Sequence, residues 1–171
     1  MSPGHSPSRP LLLALVALLT VRAAAASKPE PAPRFHAKTM EGELFTNDSV
    51  KGKVLLLEFW TTWCQYCRQE ESMVDDVSQE FKDKGLITLA IDVAESKKKV
   101  KKYLEDNPRA CKIVLTEDTN LAAMYEATEY PIYVVISRDG DIVGTQRGAA
   151  GEGALRNLLR RAGLGDDEDE Q

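Results

Sequence analysis

The stretch that most constrains the fold is the apolar run from Val54 to Trp60 (V-L-L-L-E-F-W), which only Glu58 interrupts. Such a run predicts a strand that is buried on both faces, in the middle of a sheet covered by helices. Beyond Trp63 the pattern becomes helical, because apolar residues recur at helical spacing at Met73, Val74, Val77 and Phe81. The pair Cys64 and Cys67 therefore lies where a buried strand passes into the start of a helix.

Length and charge limit the class of protein. The chain has 171 residues, of which 43% are hydrophobic and 29% charged, and this composition is typical of one globular domain. The formal net charge is −5, and residues 1–26 contribute two arginines and no acid. An acidic chain of this kind is not expected to bind nucleic acid, because phosphate binding requires a basic surface.

The N-terminal residues 1–26 have the pattern of a secretory signal peptide. Arg9 precedes the apolar segment Leu11 to Val21, and small residues follow at Ala23 to Ser27. The alternative is an uncleaved membrane anchor, but about 20 apolar residues are needed to span a bilayer, and Arg22 ends this run early. We therefore expect an exported protein, periplasmic or secreted.

The chain has three cysteines, Cys64, Cys67 and Cys111. One close pair and one separate residue indicate a working dithiol, with Cys111 as a buried apolar thiol or, alternatively, a site of intermolecular pairing. A purely structural disulfide would constrain little unfolded-chain entropy across so short a loop. A zinc site would need a second Cys or His pair at ligand spacing, and the chain offers none, so no metal is expected.

The rest of the chain predicts a single α/β domain over residues 35–163. Residues 27–34 are rich in proline and read as a linker, and residues 164–171 read as an acidic disordered tail. Between them we predict a hairpin around Glu41-Gly42-Glu43, strands at Leu86–Asp92 and Lys112–Leu115, helices at Ser96–Asp106 and Leu121–Ala127, a second hairpin turning at Asp139-Gly140 between Ile132–Ser137 and Asp141–Arg147, and a closing helix at Gly151–Ala162. This order predicts a sheet covered by helices on both faces.

The dithiol at the predicted helix start has a specific chemistry. The nucleophile in thiol–disulfide exchange is a thiolate, and the unpaired N–H groups of a helix N-terminus acidify a thiol placed there. Cys64 occupies that place, and Cys67 lies inside the first turn within bonding reach. We expect Cys64 to attack a client disulfide and Cys67 to resolve the mixed disulfide. No cofactor is expected beyond the redox-active disulfide Cys64–Cys67.

Two carboxylates are candidate proton acceptors for the resolving thiol. Glu58 interrupts the buried strand, and Glu70 lies three residues after Cys67 on the helical face of Val74 and Val77. An apolar setting raises the pKa of a carboxyl group toward neutrality, which suits proton transfer. The alternatives are a charge at a strand exit for Glu58 and an ordinary solvated helix position for Glu70.

The segment W-T-T-W-C-Q-Y-C ending at Cys67 resembles the active site of the thioredoxin superfamily. The longer pattern is similar to the exported TlpA/ResA-type thiol–disulfide oxidoreductases, through K-G-K-V-L-L-L-E-F-W-T-T-W-C-x-x-C-R-x-E, the strand L-I-T-L-A-I-D and the segment Y-P-I-Y-V-V-I-S-R-D-G-D-I-V-G. The likeness extends from about Phe35 to Ala162. It implies a thioredoxin-like fold, with a central mixed sheet covered by helices on both faces.

The resemblance also implies roles for individual residues. Cys64 corresponds to the exposed nucleophile and Cys67 to the resolving thiol, Glu58 to the buried acid of thioredoxins and Glu70 to the active-site glutamate of ResA-type proteins. Pro131 corresponds to the cis-proline that faces the dithiol.

Client binding is expected around the dithiol. The backbone of Tyr130 would then pair with an extended client segment. Trp63, Gln65 and Tyr66 complete the predicted client site. Gln65-Tyr66 and Tyr130 depart from the residues common in the family, which leaves the direction of electron flow and the client open.

We therefore predict an exported thiol–disulfide oxidoreductase, with protein disulfides as clients, an exported or membrane-bound electron donor, and reduction as the favoured direction. The alternatives are an oxidase or isomerase of the same fold and a copper-handling or client-binding module. A peroxidase would need a P-x-x-x-T-x-x-C setting, which the residues before Cys64 lack, and no histidine follows His36 to suit a copper carrier. The lysine run Lys97 to Lys102 reads as a solvated helix face, or else as a docking patch for an acidic partner.

Overall fold

The computed structural model describes residue 1 and residues 29–165. The predicted signal peptide, apart from Met1, and the tail beyond Gly165 lie outside the described residues. Leu164, with which the tail was expected to begin, is buried against the core, so the domain extends at least to this residue. Within the described part of the chain, no helix combines the length and the apolar composition needed to cross a membrane.

Eight strands form one mixed sheet in the order β1-β8-β7-β4-β5-β6-β2-β3. The strands are β1 (Glu30–Pro31), β2 (His36–Thr39), β3 (Leu44–Thr46), β4 (Val54–Trp60), β5 (Leu86–Asp92), β6 (Lys112–Thr119), β7 (Ile132–Ile136) and β8 (Asp141–Arg147). The helices are α1 (Gln65–Lys82), α2 (Lys97–Asp106), α3 (Leu121–Met124) and α4 (Glu152–Arg161). The α/β architecture predicted from the sequence is confirmed.

Strand β4 is central, and all seven of its residues are buried. Side chains alternate between the two faces of a strand. Leu55 and Leu57 accordingly pack in the cluster that contains the start of α3, whereas Val54 and Leu56 pack against α1 and α4. Helix α2 lies on the same face as α1, because its Val100 packs with Trp60. Helices therefore cover both faces, as expected.

Both predicted hairpins are present. Strands β2 and β3 pair antiparallel at the edge of the sheet, and β7 and β8 pair on either side of the turn at Gly140, which has a φ of 88°. Glycine adopts this left-handed conformation without the steric penalty that other residues meet. Strand β6 is longer than predicted, and α3 is shorter.

The prediction of a linker over residues 27–34 is wrong from Glu30 onward. Glu30 and Pro31 form β1, which pairs with Ile142 and Asp141 at the other edge of the sheet. The side chain of Asn47 also accepts a hydrogen bond from Phe35 N at 2.9 Å and donates one to Pro33 O at 3.1 Å. Proline is tolerated in an edge strand, so a proline-rich composition did not exclude pairing with the sheet.

The direction of the central strands places three segments together. Strands β4 and β5 run parallel, and β7 runs antiparallel to β4. One end of the central strands therefore brings together the end of β4, the end of β5 and the start of β7. This end of the sheet carries Asp92, Pro131 and the segment that leads to Cys64.

Candidate active site

Cys64 is the residue that caps the N-terminus of α1. Its backbone is extended (φ −71°, ψ 110°), and its sulfur accepts a hydrogen bond from Cys67 N at 3.0 Å. The two sulfurs form a disulfide, with the Cα atoms 5.3 Å apart. The dithiol thus lies at the strand-to-helix junction that the sequence predicted. Because the helix N–H donors point at this sulfur, they stabilise negative charge on it when the disulfide is open.

The two sulfurs differ in their access to solvent. Cys64 is 6% exposed and Cys67 is fully buried. Cys64 is therefore the sulfur that a client can reach, as expected, but it is far less open than the sequence analysis assumed. The physical reason is that its sulfur caps the helix and is bonded to a sulfur turned into the core.

Aromatic side chains lie next to the disulfide in the chain and in the core cluster that contains it. Trp63 is 61% exposed and Tyr66 is 62% exposed, whereas Trp60 is completely buried. The Trp63 ring meets the edge of the Tyr130 ring at a centroid distance of 5.9 Å, and Tyr130 packs against the cluster that contains both cysteines.

The peptide bond between Tyr130 and Pro131 is cis, as the resemblance implied, and the role of Pro131 in client binding stays a prediction. Gln65 is exposed, beside Tyr66. The residues expected at the client site are thus brought together around Cys64. We call the three aromatic residues of this set, Trp63, Tyr66 and Tyr130, the aromatic rim.

Glu58 is buried in β4 and paired with a cation that the sequence analysis did not identify. Arg109 Nη2 lies 2.8 Å from Glu58 Oε2, and Arg109 Nε lies 3.1 Å from both carboxylate oxygens of Asp75. The guanidinium also lies over the Trp60 ring, 5.4 Å from its centroid. Burial raises the pKa of Glu58, and the charge of Arg109 opposes this shift. No local pattern singles out Arg109, since it follows the proline that ends α2 and lies far from Glu58 in the chain.

Glu70 is buried rather than solvated. One of its carboxylate oxygens accepts a hydrogen bond from the Tyr133 hydroxyl at 2.9 Å, and the other accepts one from Gly151 N at 2.6 Å. These bonds connect α1 to β7 and to the start of α4. Residues three apart on a helix lie on the same face, so the carboxylate is a neighbour of Cys67 on the buried side of α1.

Asp92 and Glu95 form a carboxyl pair that sequence reasoning missed. Asp92 is fully buried at the end of β5, directly opposite Trp60, and no donor among the described residues bonds either of its oxygens. Burial, together with the nearby carboxylate of Glu95, raises the pKa of Asp92 to about 8. A buried carboxyl group without a donor is stable only when it carries its own proton, and Glu95 is positioned to accept that proton in a hydrogen bond.

Glu95 holds the segment that leads to the nucleophile. It accepts hydrogen bonds from Thr62 N at 2.5 Å and from the Thr62 hydroxyl at 2.9 Å, and it forms an ion pair with Lys99. Burial raises the pKa of Glu95, but the bonds from Lys99 and Thr62 outweigh this effect and lower it. An acid at the end of a buried strand, followed by another acid before a helix, is the sequence signal that could have revealed this pair.

Cys111 is a free thiol, as expected from its place before β6. It is buried in the cluster that includes Cys64 and Cys67, and burial raises the pKa of its thiol. A protonated buried thiol is a poor nucleophile. Among the described residues, no group of three or more His, Cys, Asp and Glu side chains is arranged to hold a metal ion.

Comparison with known proteins agrees with this geometry. Residues 29–145 match the AhpC/TSA family. The chain is 28% identical over 130 residues to the thiol-disulfide oxidoreductase ResA of Bacillus cereus, covering 76% of this chain and 75% of the relative. It is 31% identical over 114 residues to the thioredoxin-like protein YneN of Bacillus subtilis, covering 66% of this chain and 67% of the relative.

Solved structures share the fold. A thiol:disulfide interchange protein of the thioredoxin family from Chlorobium tepidum superposes with a TM-score of 0.70 at 26% identity, over 81% of this chain and 99% of that one. StoA from Bacillus subtilis superposes with a TM-score of 0.64 at 23% identity, over 77% of this chain and 99% of that one. The thioredoxin-like fold expected from the sequence is confirmed.

The proton on Asp92 makes stability depend on pH. In the unfolded chain this carboxyl group titrates near its ordinary pKa of 3.8, whereas in the folded protein it holds its proton up to about pH 8. Between these values the unfolded state binds fewer protons, so the free energy of unfolding falls as the pH rises. Asp92→Asn mimics the protonated acid, and we expect it to flatten this fall. Urea unfolding of both proteins at about pH 5 and about pH 8 measures the difference. An equal change in the free energy of unfolding with pH in the two proteins would contradict the assignment.

Proposed function

The chain belongs to the AhpC/TSA family, and from this membership and the geometry of its dithiol we propose that it is a protein thiol–disulfide oxidoreductase. The observation that carries the proposal is the Cys64–Cys67 disulfide at the start of α1, where the Cys64 sulfur accepts the Cys67 N–H. The relatives named thiol-disulfide oxidoreductase ResA support the same activity.

The exchange takes place in two steps. In the reduced protein the Cys64 thiolate attacks one sulfur of a client disulfide, so that a Cys64–client bond forms and the other client sulfur leaves as a thiolate that takes up a proton. Cys67 then loses its proton and attacks the Cys64 sulfur, which releases the second client thiol. Two electrons have passed to the client, and the protein is left with the Cys64–Cys67 disulfide.

The proton of Cys67 needs an acceptor, and we assign this role to Glu70. Its carboxylate lies on the same buried face of α1, and the bonds from Tyr133 and Gly151 fix its position. The proton-acceptor role predicted for Glu58 stays a prediction. The structure pairs that carboxylate with Arg109, which stabilises its charged form without a proton.

The aromatic rim is the proposed client surface. Trp63 and Tyr66 offer exposed apolar area beside the accessible sulfur, and an extended client segment would add to the backbone at Tyr130 as an additional strand. Clients are proteins that carry thiols or disulfides.

We further assign the protein to an exported location, periplasmic or secreted, and to the reducing direction. The signal-like segment at residues 1–26 supports export, with an uncleaved anchor as the alternative form. The resemblance to ResA-type proteins supports reduction, with electrons delivered by an exported or membrane-bound donor.

Trapping tests the activity. In the Cys67→Ala variant the second step is blocked, so clients should accumulate as mixed disulfides on Cys64, visible as reducible adducts on a non-reducing gel. Cys64→Ala is the matched control and should give none, because Cys67 is buried. Equal adducts on both variants, or none on either with a model disulfide peptide, would refute the mechanism.

The redox potential tests the direction. Equilibration of the dithiol with glutathione buffers, read by mass after thiol alkylation, should give a value near that of thioredoxin, about −270 mV. A value near that of the strong oxidant DsbA, about −120 mV, would instead assign the protein to disulfide formation.

Replacement of Glu70 tests its role. Glu70→Gln keeps the shape and can still bond Tyr133 and Gly151, but it cannot take a proton. We expect resolution by Cys67 to slow by about 10²-fold near neutral pH. The rate should recover as the pH approaches the pKa of a free thiol, about 8.5. The tryptophan fluorescence of the protein after mixing with a disulfide peptide measures the rate. In the Tyr133→Phe control the carboxylate remains, so a comparable loss there would indicate a structural role for Glu70.

A further inference from the structure

Helix α2 carries a group of lysines that the proposed reaction does not use. Lys97, Lys98, Lys101 and Lys102 are exposed, and we call these four residues the basic face. Lys99 is bound to Glu95, whereas none of the four forms an ion pair with an acid among the described residues. The chain as a whole has a net charge of −5, so the basic face stands out from an acidic protein.

The charges of α2 are placed against the preference of its own helix dipole. Negative side chains stabilise the start of a helix and positive ones its end. Helix α2 has no acid in its first turn and no base in its last, and its sequence runs from Lys97-Lys98-Lys99 to Glu105-Asp106. Helix α4 follows the rule, with Glu152 in its first turn and Arg160 and Arg161 in its last. Because the lysines of α2 oppose helix stability, a function other than folding explains them better.

The start of α2 lies against the segment that carries the nucleophile. Glu95, two residues before Lys97, binds both the backbone and the hydroxyl of Thr62, and Thr62 comes two residues before Cys64. Further along the helix, the Tyr103 ring packs on Trp60 at a centroid distance of 5.7 Å. The contacts of Glu95 and Tyr103 therefore tie the helix that carries the basic face to the segment that leads to Cys64.

Helix α2 packs beside α1, which carries a further exposed cation at Arg68. The Tyr103 hydroxyl donates a hydrogen bond to Glu71 at 2.8 Å, which fixes the two helices side by side. Arg68, the exposed residue next to Cys67, lies close enough for its charge to act on Tyr103. Two helices that are held together thus carry the basic face and Arg68, and the contact between them is made by the acidic Glu71.

We propose that the basic face of α2 docks an acidic surface of a protein whose cysteines exchange with Cys64, and so selects partners by charge. The proposal rests on the proposed oxidoreductase activity. Charge complementarity next to a reactive site raises the rate of encounter and orients the partner. The contacts through Glu95 and Tyr103 favour a partner that must reach the dithiol over an anionic membrane, which would gain nothing from that proximity.

Three disulfide peptides of equal length test the proposal. They differ only in four residues beside the cystine, which are Glu, Gln or Lys. The second-order rate constant for their reduction by the reduced protein should be at least about 10-fold higher for the Glu peptide than for the Gln peptide at low salt. The Lys peptide should be slower than both. The difference should shrink toward unity at about 1 M salt, where the Debye length falls to about 3 Å.

A matched pair of variants locates the effect. Lys97→Glu with Lys98→Glu should abolish the advantage of the Glu peptide over the Gln peptide, and the dipole argument predicts that this variant is no less stable than the wild type. Lys51→Glu with Lys53→Glu changes the net charge equally at the start of β4, the end of that strand opposite the dithiol, and should keep the advantage. Circular dichroism and urea unfolding confirm that both variants are folded.

The outcomes separate this proposal from the activity on which it rests. If the reduced wild type reduces none of the three peptides and its disulfide form oxidises none of their dithiol forms, the oxidoreductase function is refuted. Reduction of all three peptides at similar rates, or an equal loss of the advantage of the Glu peptide in both variants, would refute only the docking by the basic face and not the oxidoreductase function. A membrane surface would be assigned instead if two results came together. The wild type, but not the Lys97 and Lys98 variant, would sediment with phosphatidylserine vesicles, and the Glu peptide would show no rate advantage.

Discussion

Complete burial of β4 is the constraint on which the rest of the structure depends. A strand covered on both faces must lie in the middle of the sheet, and its last residue then delivers the chain to the edge where β5 ends and β7 begins. The turn into α1 at this edge leaves the Cys64 sulfur facing unpaired helix N–H groups. The reactive sulfur and the cis-proline segment are thus placed together by strand order, before any side chain near them is considered.

Burial at this edge also creates an electrostatic problem, which the protein solves in three ways. Glu58 is balanced by the ion pair with Arg109, and Glu70 by two hydrogen-bond donors. Asp92 has neither and keeps its proton. A buried carboxylate without compensation would cost several kcal/mol, so each solution is required for folding. Glu70 is held by the hydroxyl of Tyr133 and the N–H of Gly151, whereas Glu58 is held by a cation, and for this reason Glu70 suits proton transfer better than Glu58.

The outer surface adds selection to this chemistry. The aromatic rim offers apolar area beside a sulfur that is only slightly exposed. A client disulfide must therefore contact the rim closely in order to react. Helix α2, whose lysines oppose its own dipole, is tied through Glu95 to the segment that leads to Cys64. Contact by apolar groups and attraction by charge act at different distances, because charge extends over about a Debye length of 8 to 10 Å whereas apolar contact requires removal of water. Together they can bring a partner in and then hold it in register.

The sequence by itself determined the elements whose signals are local. The unbroken apolar run predicted β4, the helical spacing predicted α1, and the Asp-Gly turn predicted the hairpin of β7 and β8. The dithiol was readable from its own spacing and setting. The resemblance of the chain to the thioredoxin superfamily identified Pro131 as the cis-proline, which no local pattern would have revealed.

Only the tertiary structure decided which distant groups meet. Arg109 and Glu58 are 51 residues apart, and Gly151 and Glu70 are 81 apart. The pairing of β1 with β8 and the contact of Glu95 with Thr62 likewise depend on the order of strands in the sheet. Periodicity reports whether a side chain is buried but not what it is buried against. The protonation of Asp92, the ion pair of Glu58 with Arg109 and the attachment of α2 to the segment before Cys64 all depend on which groups meet.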